Sequence, residues 1–361
     1  MKKRIALLLA AAMTLSMLAG CGSKEEPAAE APAAAEEEAE APAEGGDAEA
    51  EAEAPAGDGV AANTTGKVAF VTWQSDAWHH QTALITQQAL EEAGYTCDLL
   101  DTKGDDAEVL ACLENCLSAG DYTLVIYAGN VAQPDVCQRL MAAGTSCVQY
   151  STELEDNKGF ISTWICSEYD LGYLVSQRAA KELPENANVV LLRGVEGYSG
   201  SIGRGNGFHA ALEEEGRDDV TILEEKYLKF QKMDAMTTME DWITKYGDEI
   251  DGVISENDDM ALGAIEALQG ANIPVGKDGV LVYGIDGLYA GCMGVKEGKI
   301  QASALQSSDA YAEAAVERVN KLVSGEMKAT DYEDLVFDAA YIDETNVDEF
   351  IAKYEELGLA Q

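Results

Sequence analysis

A few short loops of this chain collect polar and aromatic residues of complementary kinds. One reads Thr72-Trp73-Gln74-Ser75-Asp76-Ala77-Trp78-His79-His80. Asp76 offers two hydrogen-bond acceptors and Trp78 a flat apolar face, the pair that suits a sugar: hydroxyls donate to carboxylates, and C–H faces lie on aromatic rings. A Gly-rich loop from Gly194 to Phe208 carries Arg204, whose guanidinium fork can meet ring and hydroxyl oxygens or brace the loop by an ion pair. Further along, Asn257 presents both a donor and an acceptor. Asp258 beside it is either a ligand group or a helix N-cap, a role aspartate favours. Asp286 adds an acceptor, Gln306 an amide, and Phe230 a ring able to close the other face of a bound ring.

These groups suit capture better than catalysis. The histidines are His79, His80 and His209; the first two are adjacent and the third reads as structural. No Ser-His-Asp or Cys-His grouping is suggested, and no zinc spacing, so neither a metal nor a cofactor is expected. The glycine spacing of the 194–208 loop lacks the Gly-Lys-Ser/Thr of a phosphate-binding loop. A glycosidase would need one cleft carboxyl with a raised pKa, whereas Arg204 and the amides should keep these carboxylates ionised. The chain is therefore expected not to be an enzyme.

The elements that must hold these loops alternate regularly. Apolar strands (Lys67–Thr72, Thr96–Leu100, Leu124–Ala128, Ser146–Tyr150) are separated by amphipathic helices over 78–93, 107–119 and 134–143. The alternation restarts with a helix over 170–183. Strands follow at Asn188–Arg193, Val220–Glu224, Gly252–Ser255, Val280–Gly284, 300–304 and near 335–341, with helices over 201–215, 233–246, 259–269, 287–297, 309–323 and 346–357. Near-continuous apolar strands alternating with helices imply α/β architecture with parallel sheets, and two runs in series imply two lobes. Ligands of such sheets sit at the carboxyl ends of the strands, where the loops above fall.

The ends fix an expected address. Lys2, Lys3 and Arg4 precede an apolar run that ends in Leu18-Ala19-Gly20-Cys21. Residues 1–20 read as a signal peptide, and the tetrad is similar to a bacterial lipobox, with lipid on Cys21. Residues 21–66 are rich in Ala, Glu, Pro and Gly; they read as an extended acidic tether, too poor in apolar surface to fold. The chain carries 24 basic and 66 acidic residues, a formal net charge of −42, which argues against nucleic acid as a partner. Besides Cys21 there are Cys97, Cys112, Cys116, Cys137, Cys147, Cys166 and Cys292, most of them expected as small core residues.

Four segments in order carry a resemblance. The run VISENDDMALGAIEALQGANI, Arg204-Gly205-Asn206-Gly207-Phe208, Val282-Tyr283-Gly284-Ile285-Asp286-Gly287 and Ala302-Ser303-Ala304-Leu305-Gln306 resemble segments of the type I periplasmic sugar-binding proteins, the ribose and galactose receptor family. The resemblance implies two Rossmann-like lobes joined by a three-crossing hinge, with crossings near 151–154, 284–287 and 306–309. It assigns 67–152 and 307–335 to one lobe and 153–306 and 336–361 to the other. The implied ligand groups are Asp76, Trp78, His79, Arg204, Phe230, Asn257, Asp286 and Gln306. Ser151-Thr152 stands where many pentose receptors have Asp-Arg, and His79 replaces the second aromatic of the first loop; both leave the sugar open. The implied protein is a monomeric, lipid-anchored receptor on the outer face of the cytoplasmic membrane, serving the permease subunits of an ABC importer and binding a hexose or pentose by hinge closure. Alternatives are a nucleoside or furanone receptor of the same fold, or a sensor feeding a chemoreceptor or kinase.

Overall fold

The structure, a computed structural model, describes residues 59–73 and 76–360. The expected signal peptide, Cys21 and most of the expected tether lie outside these residues. The body opens with β1 (Lys67–Thr72), α1 (Ala77–Glu92), β2 (Thr96–Asp101), α2 (Asp106–Ala119), β3 (Leu124–Tyr127), α3 (Pro134–Ala142), β4 (Ser146–Tyr150) and β5 (Ser162–Cys166). It continues with α4 (Glu168–Glu182), β6 (Asn188–Arg193), α5 (Ser199–Glu214), β7 (Thr221–Tyr227), α6 (Lys232–Tyr246), β8 (Gly252–Ser255), α7 (Asp258–Gly270), β9 (Leu281–Asp286), α8 (Tyr289–Lys296) and β10 (Ala302–Leu305). The last elements are α9 (Ser308–Ser324), β11 (Leu335–Phe337), β12 (Ala340–Ile342) and α10 (Val347–Glu356).

Two six-stranded sheets form, in the orders β11-β5-β4-β3-β1-β2 and β12-β10-β9-β8-β6-β7. Every named strand pairing is parallel except β10 with β12. Central strands such as LVIY of β3 and GVIS of β8 are buried along their whole length, because helices cover both faces. Strand order reverses at β1 in one sheet and at β6 in the other. Such reversals open a crevice at the carboxyl edge of a sheet, and the candidate loops emerge there.

The chain passes between the sheets three times: between Cys166 and Glu168, between Leu305 and Ser308, and between Phe337 and Ala340. The crossings expected near 151–154 and 284–287 are corrected accordingly. β4 and β5 are neighbours in one sheet, with Val148 opposite Ser162, and β9 and β10 are neighbours in the other. The lobe boundary expected at 152/153 therefore moves past β5. That strand, STWIC, is short and begins with two hydroxyl residues, so it reads as loop until β4 and β11 flank it. The single strand expected near 335–341 is two strands, one in each sheet. Residues 59–66, placed in the tether by composition, lie against the first lobe: Asn63 N donates to Gly144 O (2.7 Å) and Thr65 Oγ1 to Asp121 O (2.6 Å).

The Gly-rich run is mostly helix. Gly203, Gly205 and Gly207 fall inside α5, which packs closely on α4. A Cβ at Gly207 would stand 2.2 Å from Tyr169 O, and one at Gly172 would stand 2.0 Å from Arg204 O. Both contacts are backbone, which cannot swing aside, so a side chain at either site pushes the helices apart. Gly207→Ala is expected to lower the unfolding free energy by about 1–3 kcal/mol through overpacking. Urea unfolding of the two proteins checks it, and an unchanged midpoint would show that the α4–α5 contact yields freely.

Candidate functional site

Eleven residues surround one cavity between the lobes, with about 320 Å³ of atom-free space including its solvent-open part. All eight residues singled out above line it. Ser151, Glu168 and Tyr198 complete the wall. Each follows the carboxyl end of a strand, or ends one in the case of Asp286. Three of them, Ser151 (φ +70°), Phe230 (φ +58°) and Asp286 (φ +117°), hold backbone conformations that side chains other than glycine disfavour. Such conformations persist where the surroundings over-determine them, and they concentrate at binding sites.

From the first lobe come Asp76, Trp78 and His79. Asp76 caps α1: its Oδ1 accepts from His79 N at 3.0 Å. The same carboxylate holds the imidazole, with Oδ2 2.8 Å from His79 Nδ1. Burial opposes ionisation of Asp76, yet the charge and hydrogen bonds of His79, aided by Arg204, hold its pKa below the usual aspartate value. Trp78 is buried, and its Nε1 donates to Gln306 O at 2.8 Å, tying α1 to a crossing segment. The indole also meets His79 and Tyr311 edge-on, with ring centroids 4.9 and 5.6 Å away.

The second lobe supplies the cationic centre. Arg204 is buried; its Nε donates to Glu168 Oε2 (2.6 Å), Nη2 to Gln306 Oε1 (2.7 Å), and Nη1 to Glu256 O and, more loosely, to Asp286 Oδ1 (3.4 Å). Burial disfavours its charge, but Glu168 and Asp286 more than offset this and raise its pKa. Behind it, Glu256 is fully buried and paired with Arg193 and Gly194 N. Phe230 lies against Gly194, edge-on to Tyr198, with Arg204 5.8 Å from its ring centre. Tyr198 reaches the other lobe: its hydroxyl is 3.0 Å from Thr152 Oγ1, and its ring stacks on Trp73.

Two roles differ from expectation. The N-cap of α7 is Asn257, whose Oδ1 accepts from Met260 N at 2.9 Å while Nδ2 donates to Phe230 O. Asp258 lies buried behind the cavity and accepts from Ser303 Oγ (2.7 Å) and Leu288 N (2.9 Å). Nor does Arg204 hold the pKa of every cleft carboxyl low. Burial pushes the Asp286 pKa well up against the pull of Arg204, with Asp258, Asp76 and Asp259 adding repulsion. Glu168 was missed because it follows β5, the strand that sequence did not reveal. Tyr198 sat in a loop whose glycines drew attention to phosphate. The seven described cysteines are all free, and all but Cys112 are buried. No cluster of His, Cys, Asp or Glu among the described residues has the arrangement of a metal site.

Residues 68–327 match the model of the periplasmic binding protein domain. The chain belongs to this family. It is 29% identical over 249 residues to the ribose import binding protein of Escherichia coli (strain K12), covering 68% of this chain and 80% of that protein. It is 36% identical over 155 residues to the xylitol-binding protein of Mycolicibacterium smegmatis, a match spanning 43% of each chain. The crystal structure of a galactofuranose binding protein superposes with a TM-score of 0.69 at 22% identity, covering 81% of this chain and 99% of that one, a likeness of fold. These relatives are binding proteins and not enzymes, so the raised Asp286 carboxyl belongs to a binding cleft.

The buried carboxyls make stability depend on pH. Burial pushes Asp258 up to about 7 against the pull of its hydrogen bonds, and Asp286, Asp259 and Glu256 shift in the same direction. The folded state therefore holds more protons than the unfolded chain between the ordinary carboxyl range and pH 7. Stability is full below that window and falls as pH rises through it. Carboxylates shifted the other way, such as Asp76, titrate below the window. Urea unfolding from about pH 4.5 to about pH 7.5 should show the decline, and Asp258→Asn should flatten it. A profile that rises across this range would contradict the assignment.

Proposed function

We propose that this protein is an extracytoplasmic solute-binding lipoprotein of an ABC importer, capturing one monosaccharide-sized polyhydroxylated molecule between its lobes without altering it. The observation that carries the reading is the convergence, around one small cavity, of carboxylates, two amides, a guanidinium and aromatic rings from both lobes. Acceptors outnumber free donors there, which suits a ligand whose surface is mostly hydroxyl. The names of the relatives above, ribose and xylitol among them, point to the same chemical class.

The mechanism follows from the connections. Three short segments join the lobes, and polar groups on both sides face the cavity. A ligand touching both lobes gains contacts only when they meet, so it favours the closed arrangement by that difference. Gln306 lies in a crossing segment and contacts both Trp78 and Arg204, which couples the ligand site to the hinge. The closed face would then dock on the permease. Lipid on Cys21 would hold the receptor, as a monomer, at the outer face of the cytoplasmic membrane, where an extended acidic leash raises its effective concentration near its partner.

Isothermal titration against pentoses, hexoses, pentitols, inositols and nucleosides tests the ligand class. A sugar or sugar alcohol should bind with Kd below about 100 μM, and binding of nucleosides alone would overturn the reading. Asp286→Asn should weaken that ligand by about 1.5–3 kcal/mol through loss of charge-assisted hydrogen bonds, an effect of roughly tenfold or more. Unchanged affinity would remove Asp286 from the site. Cys21→Ser should release the protein from membranes in cell fractionation while leaving ligand affinity intact, and a variant still membrane-bound would argue against lipid at this position.

A further inference from the structure

We propose that the cleft is tuned to a cationic polyol, a monosaccharide-sized ring of hydroxyls bearing one ammonium group, bound in preference to its neutral counterpart. The proposal rests on the reading of the cleft as a polyol site and narrows it.

The first argument is the balance of charge. Asp76, Glu168 and Asp286 line the cavity, and Arg204 is the only Lys or Arg among the lining residues. Arg204 is already committed. Of its five N–H groups, four go to Glu168, Glu256 O, Asp286 and Gln306. An anionic ligand would find no free cation and would face three carboxylates. Behind the wall, Asp258 is fully buried, with the Ser303 hydroxyl and the Leu288 N–H among its partners and no cationic side chain hydrogen-bonded to it. Glu256 does not add to the excess, because Arg193 matches it.

Asp286 lies within that group. Burial pushes its carboxyl towards the protonated form; Arg204 on α5 opposes this, while Asp258 and Asp259 on α7 and Asp76 at the start of α1 add repulsion. A crowded buried carboxylate group is relieved either by a proton or by a cation from the ligand. An ammonium would displace the proton, so its affinity should rise with pH until the amine itself deprotonates.

The second argument is an unspent polar atom. His79 lines the cavity and is 5% exposed. Its Nδ1 is held by the Asp76 carboxylate, with Oδ2 2.8 Å away. Nε2, on the far side of the ring, has no partner among the described residues. A ligand N–H or O–H would satisfy it. The third argument is the wall itself: Trp78, Tyr198 and Phe230 present aromatic rings, whose faces attract cations, and the Arg204 guanidinium already lies over Phe230.

The test is isothermal titration of the detergent-solubilised full chain with matched sets: glucose, glucosamine, N-acetylglucosamine and glucuronate; the galactose equivalents; and myo-inositol with an inosamine. In a set that binds, the amine should exceed its neutral parent by about tenfold or more in affinity, and acetylation, which removes the charge, should abolish the advantage. The uronate should not bind. Glu168→Gln and Asp76→Asn should each shrink the preference for the amine. Neutral sugars binding as tightly as their amines, or more tightly, would overturn this proposal and leave the polyol receptor standing. Failure of every member of every set, neutral and charged alike, would overturn this proposal, and failure of the pentoses and pentitols as well would overturn the polyol reading.

Discussion

The guanidinium of Arg204 sits out of water and must be matched where it lies. Its partners come from four different places: Glu168 after β5, the carbonyl of Glu256 after β8, Asp286 at the end of β9, and the side chain of Gln306 after β10. Removing a partner from a buried charge costs far more than a surface pair contributes, so these loops are held in a fixed mutual arrangement. One of them, Gln306, lies in a segment that joins the lobes. The arginine therefore links the shape of the cleft to the hinge, and much of the site geometry depends on it.

Placing that charge required a particular helix contact. α5 begins just past the loop after β6, and Arg204 lies near its start. Close approach of α4 depends on Gly172 and Gly207, because any side chain there meets backbone of the facing helix. α4 in turn begins at Glu168, so the same packing that seats Arg204 also delivers the carboxylate that neutralises it. Residues that look like a flexible phosphate-binding loop in the sequence are spacers that let two helices touch. Tyr198, in the wall of the cavity, stacks on Trp73 across the lobes.

The acidity of the cleft has a cost and a use. Asp258, Asp286 and Asp259 are close enough to repel one another, and burial removes the water that would screen them. Burial first, and that repulsion after it, raise the proton affinity of these carboxyls. A ligand that contributes donors, or positive charge, would relieve the repulsion. Binding strength can thus come as much from relief of crowding as from new contacts, which is how a small cavity of this kind becomes selective.

The sequence by itself determined the alternation of strands and helices, hence two parallel sheets with ligand groups at their carboxyl ends. It also brought Asp76, Trp78, Arg204, Phe230, Asn257, Asp286 and Gln306 together, because strand-end position and residue chemistry are local properties, and the family resemblance added His79. Tertiary structure decided the rest. β5 is a strand only because β4 and β11 flank it, so the first crossing and Glu168 were invisible from local pattern. Asn257, rather than Asp258, caps α7 because the Asp258 carboxylate is claimed by Ser303 and Leu288, far away in the chain. The raised proton affinity of Asp286 depends on burial and on carboxylates that only folding brings together. Hydrophobic period and side-chain type are written residue by residue, whereas burial and the neighbours of a charge exist only once the lobes are packed.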